Sequence, residues 1–446
     1  VYNRKLTATE SMQVSEYLQA KYSTSFTAYA APGSPASNVG FSSVTQNSMN
    51  ISLSKGTGSH RIIIARRGGA VTAVPSNGVL YSGNAAFGSG HDFGNGNYAV
   101  YVGTEGTSTA LGNLAFNSDY HFAVYEYNIV GGFAEYLSTS ATASQTTSDL
   151  TPASNLQIIG RTANTFSGSV TAGSGTHRLI VARQGSAVNQ GPTDGVDYTG
   201  NTAFGSGNQI GTGNYVIYAG TDGTSYSMSS LSNSTVYHLA VFEYLYVDGV
   251  PLYRTSSPTT DSDITFPATP ASSVQFSGTG LNEMTVSFTP GNGNKRIVIA
   301  REAAAVSVPP TNGQSYSASS VFETGSDLGS GNYVVYAGTG SSVNLSGLDN
   351  STTYYFAVYE YSEHAGVTSY LTTSPAVGSN STTVVPFPTI TEATFGKGTA
   401  TSRKISGLIN PNGYETSVEI IYGTDTGNLN STTASHSVGS GIVNVA

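Results

Sequence analysis

Apolar and polar residues alternate with period two over short runs, and Gly/Ser/Asn clusters separate the runs at roughly the 8–12-residue rhythm of an all-β sandwich or barrel. "RIIIAR" from Arg61, "NYAVYVG" from Asn97 and "YHFAVYEYN" from Tyr120 read as strands rich in Val, Ile and Tyr. In the last of these, Tyr120, Phe122, Val124 and Glu126 share one face, which puts a glutamate in line with apolar residues. Near the N-terminus the period changes. In "LTATESMQVSEYLQAKY", Thr7 and Glu10 have capping-box spacing, and Val14, Tyr17, Leu18 and Tyr22 follow at helical intervals. The pattern predicts one short helix at about residues 8–21, after a strand ending "VYNR".

The strand pattern is written three times. "RIIIAR", "RLIVAR" and "RIVIAR" start at Arg61, Arg178 and Arg296, 117 and 118 residues apart. "NYAVYVG", "NYVIYAG" and "NYVVYAG" start at Asn97, Asn214 and Asn332, and "PASNV", "PASNL" and "PASSV" at Pro35, Pro152 and Pro270, in the same register. Three motifs in one register define tandem modules. The expected division is 1–34 as the tail of an upstream domain plus linker, 35–149, 150–267 and 268–385 as repeats, and 386–446 as a partial fourth module opening near Pro388. Pro/Thr/Ser-rich joints such as "TTSDLTPAS" predict semi-rigid connections. Val1 in place of Met, inside an expected strand, suggests a segment of a longer protein.

Composition narrows the function classes. Charged residues are only 10% of the chain and the net charge is -9, so there is no basic footprint for nucleic acid or anionic membrane. No run approaches the ~20 apolar residues of a transmembrane helix. Cysteine is absent, which excludes a disulfide scaffold and Cys-ligated zinc. GxSxG, HExxH and CxxC are all missing. "GSGHDFGNG" has the glycine content of a nucleotide loop but runs into a strand, with no helix N-terminus to hold phosphate. Asp92 and Asp327 offer carboxylates to a Ca²⁺ ion, but the second repeat has Gln209 there, so β-turns are expected and no cofactor is called for. His121 and His238 give way to Tyr355 in the third repeat, which reads as packing or surface.

The candidate site residues are those that repeat. Arg66, Arg183 and Arg301 end one strand of each module; Glu126, Glu243 and Glu360 lie late in another. A partly buried carboxylate needs a partner, so an Arg–Glu pair or a Glu–backbone network fixing one end of each sandwich is the expected reading. Ligand binding at that end is the competing one, and a lone glutamate lacks the two-carboxylate geometry of glycoside hydrolysis. Leu114, Leu231 and Leu348 each precede a strand-opening tyrosine by six residues (Tyr120, Tyr237, Tyr354), a spacing similar to the tyrosine corner of immunoglobulin-like sandwiches.

With "HRIIIARRG", "FGSGHDFGNGNYAVYVG" and "YHFAVYEYN…EYL", the stretch from Pro35 to Thr383 resembles fibronectin type III-like repeats of large secreted surface proteins of Bacteroidota, the gliding-adhesin-like group. The N-terminal segment resembles the end of a concanavalin-like (laminin-G-like) domain, and "GLINPNGYETSVEIIYGT" another bacterial fibronectin-like module. The resemblance implies export, often by type IX secretion, and an extracellular adhesive or structural role at the cell surface, in gliding or in a filament. It implies as partners other domains of the same long chain, surface glycans or further copies. Spacer modules of a secreted hydrolase or lectin, and carbohydrate-binding repeats, are the alternatives. At ~117 residues, without a core Trp, each repeat exceeds the ~100 of an ordinary sandwich. The surplus falls between the "IIIAR" and "NYAVYVG" strands, where an added loop or hairpin is expected.

Overall fold

A computed structural model of the chain describes residues 6–22, 31–399, 404–423, 427 and 429–440. The strand expected at "VYNR" lies outside these residues. The one helix among them, α1 (Ala8–Tyr22), starts with a reciprocal cap: Thr7 Oγ1 accepts from Glu10 N at 3.3 Å, and Glu10 Oε2 accepts from Thr7 N at 2.9 Å. Its stripe is only partly covered, since Tyr17 and Tyr22 are exposed with Lys21 Nζ near both rings.

Among the other described residues the strands all pair antiparallel, and three tandem β-sandwiches of one strand order follow. In the first module β1 (Ser37–Ser42), β2 (Met49–Ser54) and β5 (Ser108–Leu111) form a sheet in the order β1-β2-β5. β3 (His60–Arg67), β4 (Asn97–Gly103), β6 (Asp119–Val130), β7 (Phe133–Tyr136) and β8 (Ala141–Thr146) form the other, in the order β4-β3-β6-β7, with β8 also on β6. The twelve residues of β6 are long enough for β8 to pair with their first half and β7 with their second. The second and third modules repeat these orders. By compactness the chain divides into two units, one with the first module and most of the second, the other with Arg161–Asn164, Leu231–Val236 and everything from Asp263 on.

β3 is apolar on both faces, so each face needs a core. Ile63, Ala65, Phe122 and Val124 pack inward against Ile51 and Leu53 of the other sheet. Ile62, Ile64, Ala99 and Ala123 point the other way and are covered by Val71, Ala73, Tyr81 and Phe93, all from the surplus segment 68–96. That segment is neither a free loop nor a hairpin. It lies as an irregular strap across the outer face and touches the sheet by isolated bridges, such as Asp92 with Tyr98. The strap also closes an edge. Asn84 N donates to Ala99 O (3.1 Å) and Ala99 N to His91 O (3.0 Å), so the free side of β4 is bonded, while Phe87 N donates to Gly112 O (3.1 Å) beyond β5. The same seam recurs at Val216 and Val334.

In the last segment Thr389–Phe395 pairs with Ile405–Asn410, and short ribbons join Thr416–Val418 to His436–Gly439 and Ile421–Tyr422 to Ser431–Thr432. Ile390, Phe395 and Ile421 are exposed there, beside an open apolar cleft that also takes in Ile405 and Val438.

Candidate functional site

Register decides the partner of the repeated glutamate. β3 and β6 run antiparallel, so a late position in one faces an early position in the other: Arg61 stands opposite Glu126, and Arg66 opposite His121. Arg61 also shares Glu126's face, whereas Arg66 follows Ile62 and Ile64 to the outer face. The expected Arg66–Glu126, Arg183–Glu243 and Arg301–Glu360 pairs are therefore corrected to Arg61–Glu126, Arg178–Glu243 and Arg296–Glu360, joined at 3.0, 3.1 and 3.2 Å from Nε to Oε1. The displaced arginines have a different job. Arg66, Arg183 and Arg301 donate from Nη1 to the carbonyls of Ala70, Ala187 and Ala305 (2.8–2.9 Å), pinning the start of each strap.

The ion pairs are sealed. Glu126 and Glu360 are 0% exposed and Arg61 is 1% exposed. Such burial is tolerable only when the remaining lone pairs and protons are also satisfied. Glu126 Oε1 accepts from Gly56 N at 3.1 Å, Glu243 Oε1 from Gly173 N at 2.9 Å, and Glu360 from both Gly291 N (2.8 Å) and Gly293 N (2.9 Å). On the arginine side, Nη1 of Arg61 donates to the carbonyls of Thr104 and Glu105, and Nη1 of Arg296 to Thr339 O at 2.9 Å. Tyr101 and Tyr218 hold that carbonyl loop by accepting from Glu105 N (3.0 Å) and Asp222 N (2.9 Å). The glycines are there for space: a Cβ on Gly58 would lie 2.7 Å from Glu126 Oε2, and one on Gly293 2.7 Å from Glu360 Oε2. The Gly-x-Gly ahead of the paired arginine, "GTGSHR", "GSGTHR" and "GNGNKR", is the sequence signal for this pole.

A second set of repeated residues clips the strap. Asn97, 1% exposed, accepts from Thr72 N (3.0 Å) and donates to Gly94 O (2.8 Å). Asn214 does likewise with Asn189 N and Ile210 O, and Asn332 with Ser307 N and Gly329 O. The turn "SNG", "TDG" or "TNG" docks on the second strand of the hairpin, which is β7 in the first module. Gly78 N donates to Ala134 O, and Asn77 Oδ1 accepts from Tyr136 N, as Asp194 does from Tyr253 and Asn312 from Tyr370. Tyr136, Tyr253 and Tyr370 return the bond through their hydroxyls, to Val79 O, Val196 O and Gln314 O at 2.9–3.0 Å. Burial raises the pKa of all three phenols, and that of Tyr370 is pushed up to about 12.

At the corner, Tyr120 is 1% exposed and its hydroxyl accepts from Ala115 N at 2.8 Å; Tyr354 accepts from Asp349 N at 2.9 Å. Tyr237 is equally buried, next to Phe166 and Phe204. Asp92 and Asp327 turn their carboxylates onto the backbone of their own turns, accepting from Gly94 N and Gly329 N at 2.7 Å. Among the described residues no group of three or more His, Cys, Asp and Glu is placed to hold a metal. His121 and His238 are half-buried beside the start of each strap. Chemically, the charges of the poles are matched internally and shut away from solvent. They fasten, and they offer no open face to a substrate.

No family model matches the chain, and no curated protein matches it. Among solved structures it is similar to the FN1–FN3 domains of chicken CNTN1, at 12% identity over 79% of this chain and 100% of that one, with a TM-score of 0.27. It is also similar to a segment of two fibronectin type III domains from chicken tenascin (16%, 52% and 99%, TM-score 0.26) and to domains A168–A170 of titin (12%, 79% and 99%, TM-score 0.25). At these scores the strand order and pairing described above carry the fold assignment.

Proposed function

We propose that the chain is the repeat array of an exported bacterial surface protein, a stalk or fibre that spaces adhesive parts from the cell, as in the gliding-adhesin-like proteins of Bacteroidota that it resembles. The observation that carries this reading is where the repeated chemistry goes. Arg–Glu pole, Asn clip and tyrosine staples recur in all three modules, and each is spent on holding the module's own shape. Modules selected for a common ligand would repeat an outward-facing set; modules selected as spacers repeat their internal fasteners. A chain with 10% charged residues and no cysteine suits such a role outside the cell, with type IX secretion as the proposed route and surface glycans or further copies as proposed contacts.

Immunogold labelling of intact source cells with antibodies against the repeats tests it, together with in-frame deletion of 150–267. Surface label is expected in both strains, with weaker cell attachment in the deletion strain. Label confined to the cytosol, or turnover of polysaccharide, peptide or ester substrates by the purified chain, would overturn the proposal.

A further inference from the structure

We infer that the first and second modules meet in a keyed joint, in which the corner after β5 receives the tip of the second module's hairpin and recognises an aspartate there. The strands Val236–Val247 and Val250–Tyr253 turn through Asp248 and Gly249, and Asp248 has φ 51°. Asn113 of the corner is also left-handed, at φ 58°. The two residues bond reciprocally. Asp248 N donates to Asn113 Oδ1 at 3.2 Å, and Asn113 Nδ2 donates to the Asp248 carboxylate. The same Nδ2 donates to Phe87 O at 2.8 Å, which ties the receiving corner to its own strap. Gly88 leaves room for the visitor: a Cβ there would lie 2.7 Å from Asp248 Oδ2. A separate ion pair, Arg254 Nε to Asp149 Oδ2 at 3.2 Å, joins the second module to the linker, next to Leu150, which is 1% exposed.

A carboxamide suits this job because it offers an acceptor to the backbone N–H and a donor to the carboxylate at once. The repeat register makes the pair particular to one joint. Asn113 is replaced by Ser230 and Gly347 in the later modules, and Asp248 by Gly131 and Ala365 in the first and third. Module order is thus written into two residues, and the partner that the first module's corner fits is a hairpin tip with a left-handed Asp. This stands independently of the adhesive role.

The full chain tests it. Asp248 N is an exposed-tip amide whose acceptor is Asn113, so its hydrogen exchange reports the joint directly. Exchange is expected to be slow in the wild type and roughly fivefold to tenfold faster in Asn113→Ala, as for loss of one net hydrogen bond. Because the chain has no cysteine, Ser54→Cys and Ser186→Cys give clean spin-label sites, one in each module. The inter-label distance distribution is expected to be narrow, and to broaden at least about twofold with either Asn113→Ala or Asp248→Ala. A wild-type Asp248 amide exchanging at the unprotected rate, or a distribution of equal width in wild type and both variants, would overturn the joint.

Discussion

Removing one member of a sealed pole pair strands the other. Glu126→Gln should lower the stability of the first module by about 3–5 kcal/mol, since Arg61 is left buried without a counter-charge. Replacing both, Arg61→Met with Glu126→Leu, should recover most of that loss or exceed it. Arg66→Ala removes one bond to a loop carbonyl and should cost about 1 kcal/mol. Calorimetry of the full chain orders the three; a loss in Arg66→Ala as large as in Glu126→Gln would contradict the assigned pairing. The tyrosines give a pH signature. The folded pKa of Tyr370 lies near 12 and the unfolded one near 10, so the fold retains a proton that the unfolded chain releases. Its contribution is complete below pH ~10 and is lost as pH rises towards 12. Absorbance titration of phenolate should show a late class of tyrosines ionising together with unfolding. A single class titrating near pH 10 with the fold intact would contradict it.

At the scale of the element, the strap is the unit with a distinctive cost. A Cβ on Gly90 would lie 1.9 Å from Ala99 O, on Gly207 1.9 Å from Val216 O, and on Gly325 2.0 Å from Val334 O. Gly90→Ala must therefore force the strap off the edge of β4, exposing its backbone and the apolar outer face. The expected result is early proteolytic cleavage within 68–96, read by limited digestion and mass spectrometry; digestion unchanged from wild type would show that the seam is dispensable. The strap is also the part of each module least legible in the sequence. Period two and the repeat register mark the strands at Arg61, Asn97 and Tyr120 with their copies, and the Thr7–Glu10 cap marks the helix. The surplus segment lacks a sustained period because its apolar contacts, Val71, Ala73, Tyr81 and Phe93, are spaced irregularly between single backbone bridges. The pole is half legible: the glutamates stand out by repetition, while parity across the two strands places Arg61 and not Arg66 on the face of Glu126.

For the whole molecule, each module carries a pole, clip and staples made of its own residues. Substitution at one pole should therefore leave the melting of the other two modules nearly unchanged. In calorimetry of Glu126→Gln, one component of the full-length transition should move and the rest stay. A uniform shift of the entire transition would mean that the modules melt as one cooperative block.

The buried arginines also bear on survival among digestive enzymes. The chain carries only 17 Lys and Arg in 446 residues. Arg61, Arg178 and Arg296 are buried at the poles, each the second residue of a strand paired on both sides, so a trypsin-like protease finds neither that side chain nor a slack backbone there. The residue that fastens each module is thus one that such an enzyme would otherwise cut, and it becomes available only after the module has already opened.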